Sequence, residues 1–193
     1  IFLSSMVIWF LLNFGVYEGA FGLLDTEMDD YIQYSLMAGL GNLLAWIFAP
    51  LGFGNWESTV TTITGLVAKE NVVATVGIIT SLGEVGETDP TLWSSFAALM
   101  GGSSVAIMAF CAFNLLCAPC FAAIGTIRRQ MMSAKWTWAA IGYMTIFAWC
   151  VGLMIYQIGG LISGEVAFSF WTVAAFAVAA GMLYLIFRPT PKR

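Results

Sequence analysis

Long apolar runs separated by short polar segments dominate the hydrophobic pattern of this chain. A helix needs about 20 predominantly apolar residues to cross a hydrocarbon core of about 30 Å. Six stretches meet this requirement: residues 1–24, 32–53, 56–82, 92–127, 136–158 and 166–187. The pattern therefore predicts an all-α fold, a polytopic transmembrane helical bundle of about six membrane segments.

Two of these segments contain features that interrupt a straight helix. Residues 32–53 include Gly39, Gly41, Asn42 and Pro50, so a broken or re-entrant segment is the alternative to a full crossing. The stretch 92–127 is longer than one straight span, and Pro119 is expected to kink its helix or end it. Residues 136–187 carry two uninterrupted segments and predict a C-terminal helical hairpin.

Composition strengthens the membrane assignment and excludes several functions. Of the 193 residues, 60% are hydrophobic and 9% are charged, whereas about a quarter of a soluble domain is charged. The lipid bilayer is therefore the expected partner, and the lack of a basic tract excludes nucleic acid. The chain has no histidine and no phosphate-binding glycine loop, so we expect neither enzyme activity nor nucleotide binding from this chain alone.

Basic residues predict the orientation of the bundle. One cluster precedes the fifth segment and another follows the sixth: Arg128, Arg129 and Lys135, then Arg188, Lys192 and Arg193. Both clusters should be cytoplasmic, because lysine and arginine concentrate in cytoplasmic loops. An even number of crossings separates them, so the C-terminus is predicted to be cytoplasmic.

The chain opens at Ile1 without a basic stretch before the apolar run. We therefore expect residues 1–193 to be one transmembrane domain from a longer chain.

Three adjacent polar residues, Lys69, Glu70 and Asn71, lie in the middle of the apolar segment 56–82. A charge at mid-membrane costs about 2.5–3.5 kcal/mol on insertion scales. Neighbours in a helix do not face each other, and no opposite charge lies three or four residues from Lys69 or Glu70. Each charge therefore needs a partner on another helix, in unwound backbone or in a water-filled cavity. We interpret them as a polar lining for a solute path, with a structural interhelical ion pair as the alternative.

A second polar cluster reads Asn114-Leu-Leu-Cys117-Ala-Pro119-Cys120. On a helix, Asn114, Cys117 and Cys120 fall within a sector of about 120°. Pro119 has no amide hydrogen and frees a carbonyl about one turn earlier, near Leu115. Sulfur, an amide oxygen and a free carbonyl suit a divalent transition metal of borderline softness. The alternative is that the cysteines pack as small hydrophobic side chains.

Three strings resemble the prokaryotic ferrous iron transport protein B (FeoB) family. They are NWESTVTTITGLVAKENVV at 55–73, NLLCAPCFAAIGTIRR at 114–129 and AKWTWAAIGY at 134–143. The resemblance covers most of the chain and is firmest over 55–159. It implies that residues 55–127 form a Gate-like region, and that the chain is the second Gate region of that family with its flanking helices.

The resemblance implies Fe²⁺ uptake across the plasma membrane of a bacterium or archaeon. Fe²⁺ would be the transported substrate, with no tightly bound cofactor, while GTP and Mg²⁺ would bind a GTPase domain outside this chain. Further partners would be a first Gate region and a small FeoA-like cytosolic protein, and a homo-oligomer is left open. The candidate transient Fe²⁺ ligands are Cys117, Cys120, Asn114 and Glu70, and the candidate path or gating residues are Lys69, Asn71 and Pro119. Which of the two cysteines contacts iron stays open.

Two other functions compete with iron transport. The first is a membrane thiol–disulfide oxidoreductase that uses Cys117 and Cys120 as a C-x-x-C couple. Such an enzyme needs a second exchanging cysteine pair and access to the oxidising side. The sequence offers no second pair, and the predicted orientation places these cysteines toward the reducing cytoplasm. The second is a Gate-type carrier for a nucleoside or another organic solute, which competition of uptake by nucleosides would reveal.

Overall fold

A computed structural model describes residues 2–17, 20–23, 31–65, 69, 71–80 and 90–188. Nine α-helices form most of this described part: α1 (Phe2–Asn13), α2 (Leu36–Phe48), α3 (Trp56–Gly65), α4 (Asn71–Ile79), α5 (Pro90–Leu99), α6 (Ser104–Leu116), α7 (Phe121–Met131), α8 (Ala134–Ser163) and α9 (Phe170–Phe187). Short 3-10 helices cover Tyr31–Tyr34 and Ala49–Leu51. The strands β1 (Phe14–Tyr17) and β2 (Ala20–Leu23) pair antiparallel, and the sequence pattern did not predict them.

Three stretches in the described part of the chain are long and apolar enough to cross a membrane: Ser104–Met131, Ala134–Ser163 and Phe170–Phe187. The pair Leu36–Leu51 and Trp56–Gly65 bends by 97° and adds a fourth if it is one broken span. The helical membrane bundle is thus confirmed, but the expected number of about six segments is not. The sharp bend agrees with the broken or re-entrant alternative for residues 32–53.

An aromatic core fixes α6 against the segment that follows α2. Phe53 meets Phe110 edge to face, with ring centroids 5.4 Å apart, and Phe48 meets Phe113 at 5.3 Å. Ala148 of α8 is fully buried in the same cluster. Close packing of this kind drives helix association where lipid surrounds the bundle. Helix α6 therefore packs against both the segment around Phe48 and Phe53 and helix α8.

The third predicted segment is a helical hairpin rather than a single span. The hydroxyl oxygens of Thr64 and Thr75 are 2.9 Å apart, and a Cβ added to Gly65 would lie 2.7 Å from Cγ2 of Val72. In a continuous helix, residues seven apart are separated by about 10 Å along the axis. The chain must therefore reverse direction between α3 and α4. This corrects the prediction of one membrane segment over residues 56–82, because two helices run in opposite directions there and Lys69 lies between them.

The fourth predicted segment is also divided. After α5, Gly101 and Gly102 adopt φ values of 65° and 73°, which glycine reaches without strain. Ser103 then caps α6, since its hydroxyl accepts the amide of Ala106 at 3.1 Å. Helix α6 ends three residues before Pro119, as the proline predicts, and the chain continues as α7.

A candidate ion site where two broken helices meet

The tip of the α3–α4 hairpin lies near the middle of the span Ser104–Met131. At one end of α3, Asn55 Nδ2 donates a hydrogen bond to the carbonyl of Leu99 at 3.0 Å, close to the start of this span. At the other end, a Cβ added to Gly65 would lie 3.6 Å from Oδ1 of Asn114. Asn114 lies close to the middle of the 28-residue span. Helix α3 therefore reaches about half the depth of the span, and α4 returns.

Lys69 binds backbone that the helix break has left free. Its Nζ donates a hydrogen bond to the carbonyl of Leu115 at 3.1 Å. In an uninterrupted helix this carbonyl would accept the amide of residue 119, but Pro119 has no amide hydrogen. The structure thus brings together two features of the sequence, the charged residue that needs a partner and the carbonyl that needs a donor.

Cys117 and Cys120 flank the break on extended backbone. The amide of Cys117 donates to the carbonyl of Phe113 at 2.8 Å, and its buried thiol donates to the carbonyl of Asn114 at 3.4 Å. Cys120 is half-buried and precedes α7. Because the backbone leaves the helix at Cys117, the 120° sector expected for one continuous helix does not exist. Both cysteines are free thiols.

The side chain of Asn114 is oriented by its own helix. Its Nδ2 donates to the carbonyl of Phe110 at 2.9 Å. The amide oxygen consequently points away from that carbonyl and faces Gly65 at the hairpin tip. The amide oxygen of Asn114 thus lies between α3 and α6, where it can coordinate a cation.

The remaining candidate residues are only partly described. Pro119 is half-buried inside the break. Glu70 lies outside the described residues, and Asn71 is described only as the first backbone position of α4. In the described ranges, no three His, Cys, Asp or Glu side chains come together as a metal site. A cation at this point would therefore meet mixed sulfur, amide and carbonyl donors.

Sequence reasoning missed the hydroxyl side chains of α3. Ser58, Thr59, Thr61, Thr62 and Thr64 are all buried, although their segment looks like an ordinary apolar span. Most donate their hydrogen to a carbonyl one turn back, as Thr62 does to Ser58 at 2.8 Å. Each hydroxyl oxygen then keeps acceptor capacity. The density of threonine in 58–64 was the available signal.

Asn55 is a second residue that the sequence did not single out. Its Oδ1 is buried and has no hydrogen-bond partner among the described residues. One turn later, the hydroxyl of Ser58 donates to the sulfur of Met100 at 3.6 Å. Oxygen and sulfur atoms that can coordinate a cation therefore lie near both ends of α3, and buried hydroxyl groups line its middle.

A cavity of about 610 Å³ lies beside the break, toward Arg128. Cys117 and Thr62 contribute to its wall, and Cys120 does not. Of the two cysteines, Cys117 is therefore the one that lines this cavity, together with Thr62 of α3.

Comparison with known proteins gives the following relationships. A family described as "Gate: Nucleoside recognition" matches residues 1–135. The chain is 32% identical over 161 residues to a protein of Staphylococcus aureus (strain COL) named Fe(2+) transporter FeoB, covering 83% of this chain and 22% of that protein. A protein of the same name from Methanocaldococcus jannaschii is 32% identical over 157 residues, which is 81% of this chain and 22% of the relative.

A third relative, from Porphyromonas gingivalis, is named Fe(2+) transport protein A/Fe(2+) transporter FeoB fusion protein. It is 28% identical over 193 aligned residues, covering 82% of this chain and 23% of its own length. The chain thus spans about a fifth of the length of these curated relatives. No solved structure matches the chain.

Proposed function

Since the chain belongs to the Gate family and its relatives are FeoB proteins named as Fe(2+) transporters, we propose that it is the membrane part of a ferrous iron uptake transporter. In this proposal the chain supplies the second Gate region, with residues 55–127 at its centre and the hairpin of 136–187 beside it. A GTPase domain and a first Gate region would come from the rest of the protein. The chain itself would form part of the ion path and catalyse no reaction.

The hydrogen bond between Lys69 and the Leu115 carbonyl supports this proposal most strongly. Ionisable groups inside a membrane are costly, and ion and substrate pathways are among the functions for which they are kept. Here the ammonium group, a freed carbonyl, the Asn114 amide and the Cys117 thiol meet near the middle of one span. Irregular backbone at such depth is tolerated where protein buries it or where it lines a cavity.

The mechanism follows from the weakness of each donor. Fe²⁺ would lose part of its hydration shell and exchange among the Asn114 amide oxygen, the sulfur atoms of Cys117 and Cys120, and the carboxylate of Glu70. No single site holds the ion tightly, as conduction requires. Lys69 would act as a gate, because it occupies the Leu115 carbonyl and repels a cation. Moving this ammonium group aside would expose the carbonyl oxygen to the ion.

Replacement of the two cysteines tests the proposed path. We expect the full-length protein with Cys117→Ser and Cys120→Ser to be expressed normally but to lose most Fe²⁺ uptake, because serine removes both soft ligands. The matched control is Cys111→Ser with Cys150→Ser, since neither residue adjoins the break. Uptake of radioactive Fe²⁺ into cells is the measurement. Unchanged uptake in the Cys117/Cys120 variant would contradict the role of the sulfur atoms.

Neither competing function is favoured by the comparisons. The relatives are named as Fe(2+) transporters, although the family description mentions nucleosides. Competition assays separate the possibilities: Mn²⁺ should inhibit uptake and nucleosides should not. Inhibition by nucleosides, or a trapped mixed disulfide at Cys117 or Cys120, would instead support the organic-solute carrier or the oxidoreductase.

The proposed setting is the plasma membrane of a bacterium or archaeon, with a cytoplasmic C-terminus. The basic clusters around Arg128 and Arg188 support this orientation. A small FeoA-like protein is a proposed partner, because the relative from Porphyromonas gingivalis is named as a fusion of the two proteins. A homo-oligomer is compatible with the proposal.

A further inference from the structure

The cavity beside the break is apolar and lies within the bundle. Helices α7 and α8 form one side of it, and α2, α3 and α6 form the other. Its wall includes Phe48, Phe113, Ile124 and Ile141. Helix α7 buries none of its residues, so its inner face is available to a ligand. The volume of about 610 Å³ lies within the range of about 300–1,000 Å³ that ligand pockets show.

A basic cavity adjoins the apolar one. Arg128 and Ala134 line both cavities, and Arg129, Met132 and Ser133 complete the basic one together with Gly125. Arg128 and Arg129 are exposed in the last turn of α7. Their guanidinium groups therefore stand where the apolar cavity ends.

The described carboxylates lie toward the other end of the span Ser104–Met131. Glu165 accepts a hydrogen bond from Ser103, immediately before the span, and Glu57 follows Asn55, which binds the Leu99 carbonyl. Neither carboxylate is placed to neutralise the arginines. The combined cavities thus join an apolar space to a positive charge at one end.

This arrangement fits an amphiphile with a negatively charged head. Arginine binds phosphate through parallel hydrogen bonds, and basic pockets between transmembrane helices bind anionic lipid headgroups. Trp138 lines the apolar cavity with most of its ring exposed, and Trp136 is exposed next to it, as expected of residues at a membrane–water interface. A divalent cation fits poorly, because Arg128 would repel it.

We propose that the two cavities bind one anionic phospholipid. Its phosphate contacts Arg128 and Arg129, and an acyl chain occupies the apolar cavity beside Ile124 and Cys117. Neither Lys69 nor Leu115 lines these cavities. Cys117 lines the apolar cavity and is also a proposed Fe²⁺ ligand, whereas Arg128 and Arg129 are not ion ligands, so the arginines test lipid binding separately from the ion path.

Lipid titration of the full-length protein tests this site. Protein freed of lipid in detergent is titrated with dioleoylphosphatidylglycerol or dioleoylphosphatidylcholine, and bound lipid is counted by native mass spectrometry. We expect Arg128→Gln with Arg129→Gln to lower the phosphatidylglycerol affinity about 25-fold, because each basic residue near the surface contributes about fivefold. Binding of phosphatidylcholine should be weak and unchanged. Arg188→Gln removes a charge outside the cavities and should change neither value.

Filling the apolar cavity tests the acyl chain. Ile124→Trp should lower phosphatidylglycerol binding at least tenfold, whereas Ala122→Trp, on the exposed side of the same helix, should not. Thermal melting in detergent checks that each variant remains folded. Equal affinity for both lipids together with an unchanged arginine variant would overturn the proposal. The proposal would also be overturned if the protein binds no lipid and Ile124→Trp unfolds it, because another part of the protein would then fill the cavity.

Discussion

At the scale of the residue, Lys69 and the Leu115 carbonyl each supply the hydrogen-bond partner that the other lacks. An ammonium group at mid-membrane costs about 2.5–3.5 kcal/mol on insertion scales, and a backbone carbonyl without a donor is also unfavourable there. Their hydrogen bond of 3.1 Å offsets both costs at once. The bond exists because residue 119 is proline, so the lysine and the proline should depend on each other.

A double-mutant cycle at Lys69 and Pro119 measures this dependence. Pro119→Ala restores an amide that can bind the Leu115 carbonyl, so Lys69→Met should destabilise the Pro119→Ala protein less than the unmodified one. The expected coupling is about 1–3 kcal/mol, the range for hydrogen bonds to charged groups. Thermal melting in detergent reports it, and Lys135→Met is the control because Lys135 is exposed at the start of α8. Additive effects would contradict the pairing.

At the scale of the element, side chains from neighbouring segments bind the carbonyls freed where helices break. Trp149 Nε1 donates to the carbonyl of Ile47 at 3.0 Å, and Gln157 Nε2 donates to the carbonyl of Pro50 at 2.8 Å. Asn55 and Lys69 do the same for Leu99 and Leu115. Lipid offers no donors, so each freed carbonyl must find one in the protein. These four hydrogen bonds tie the ends of the broken helices to neighbouring elements.

Gln157→Leu should destabilise the bundle for this reason. Gln157 is buried and links two elements, since it donates to the Pro50 carbonyl and accepts from Thr172 at 3.1 Å. Leucine would leave the Pro50 carbonyl without its donor and the hydroxyl hydrogen of Thr172 without its acceptor, at an expected cost of about 1–3 kcal/mol each. Gln130→Leu makes the same change on the exposed face of α7 and should cost little. Equal thermal stability of the two variants would show that the buried network contributes nothing.

Hydropathy predicted some of these elements and missed others. The uninterrupted spans α8 and α9 could be read from apolar length alone, and the end of α6 from Pro119. The α3–α4 hairpin could not, because a hydropathy window counts apolar residues and is blind to a change of direction. Lys69 marked the reversal, but the sequence alone did not distinguish a charged turn from a charged span. Thr64 and Thr75 meet only once the chain has folded back.

At the scale of the whole molecule, the described charged residues make one end of the bundle acidic and the other basic. Glu57 and Glu165 lie toward the end where Asn55 meets Leu99, and Arg128 and Arg129 lie at the other. The hairpin enters from the acidic end and stops at mid-span. Under the proposed orientation the hairpin would enter from outside, and its tip would meet the proposed ion path near the middle of the membrane.

Cysteine labelling tests this orientation. In a full-length protein without other reactive cysteines, Ser163→Cys should react with an impermeant maleimide added outside intact cells. Met132→Cys, at the opposite end of α8, should react only after the membrane is opened. Both positions are exposed, so access to the reagent depends on the side of the membrane. The reverse pattern would invert the proposed topology.

Protection of the cysteines by the ion tests the central claim, that Fe²⁺ passes the break between α6 and α7, most directly. The full-length protein, retaining only Cys117 and Cys120, is reconstituted without oxygen and alkylated with a small permeant maleimide. We expect Fe²⁺ to slow the alkylation several-fold and Mg²⁺ to have no effect, because sulfur prefers the softer ion. Equal alkylation rates with Fe²⁺, with Mg²⁺ and without either ion would show that the transported ion does not meet these residues.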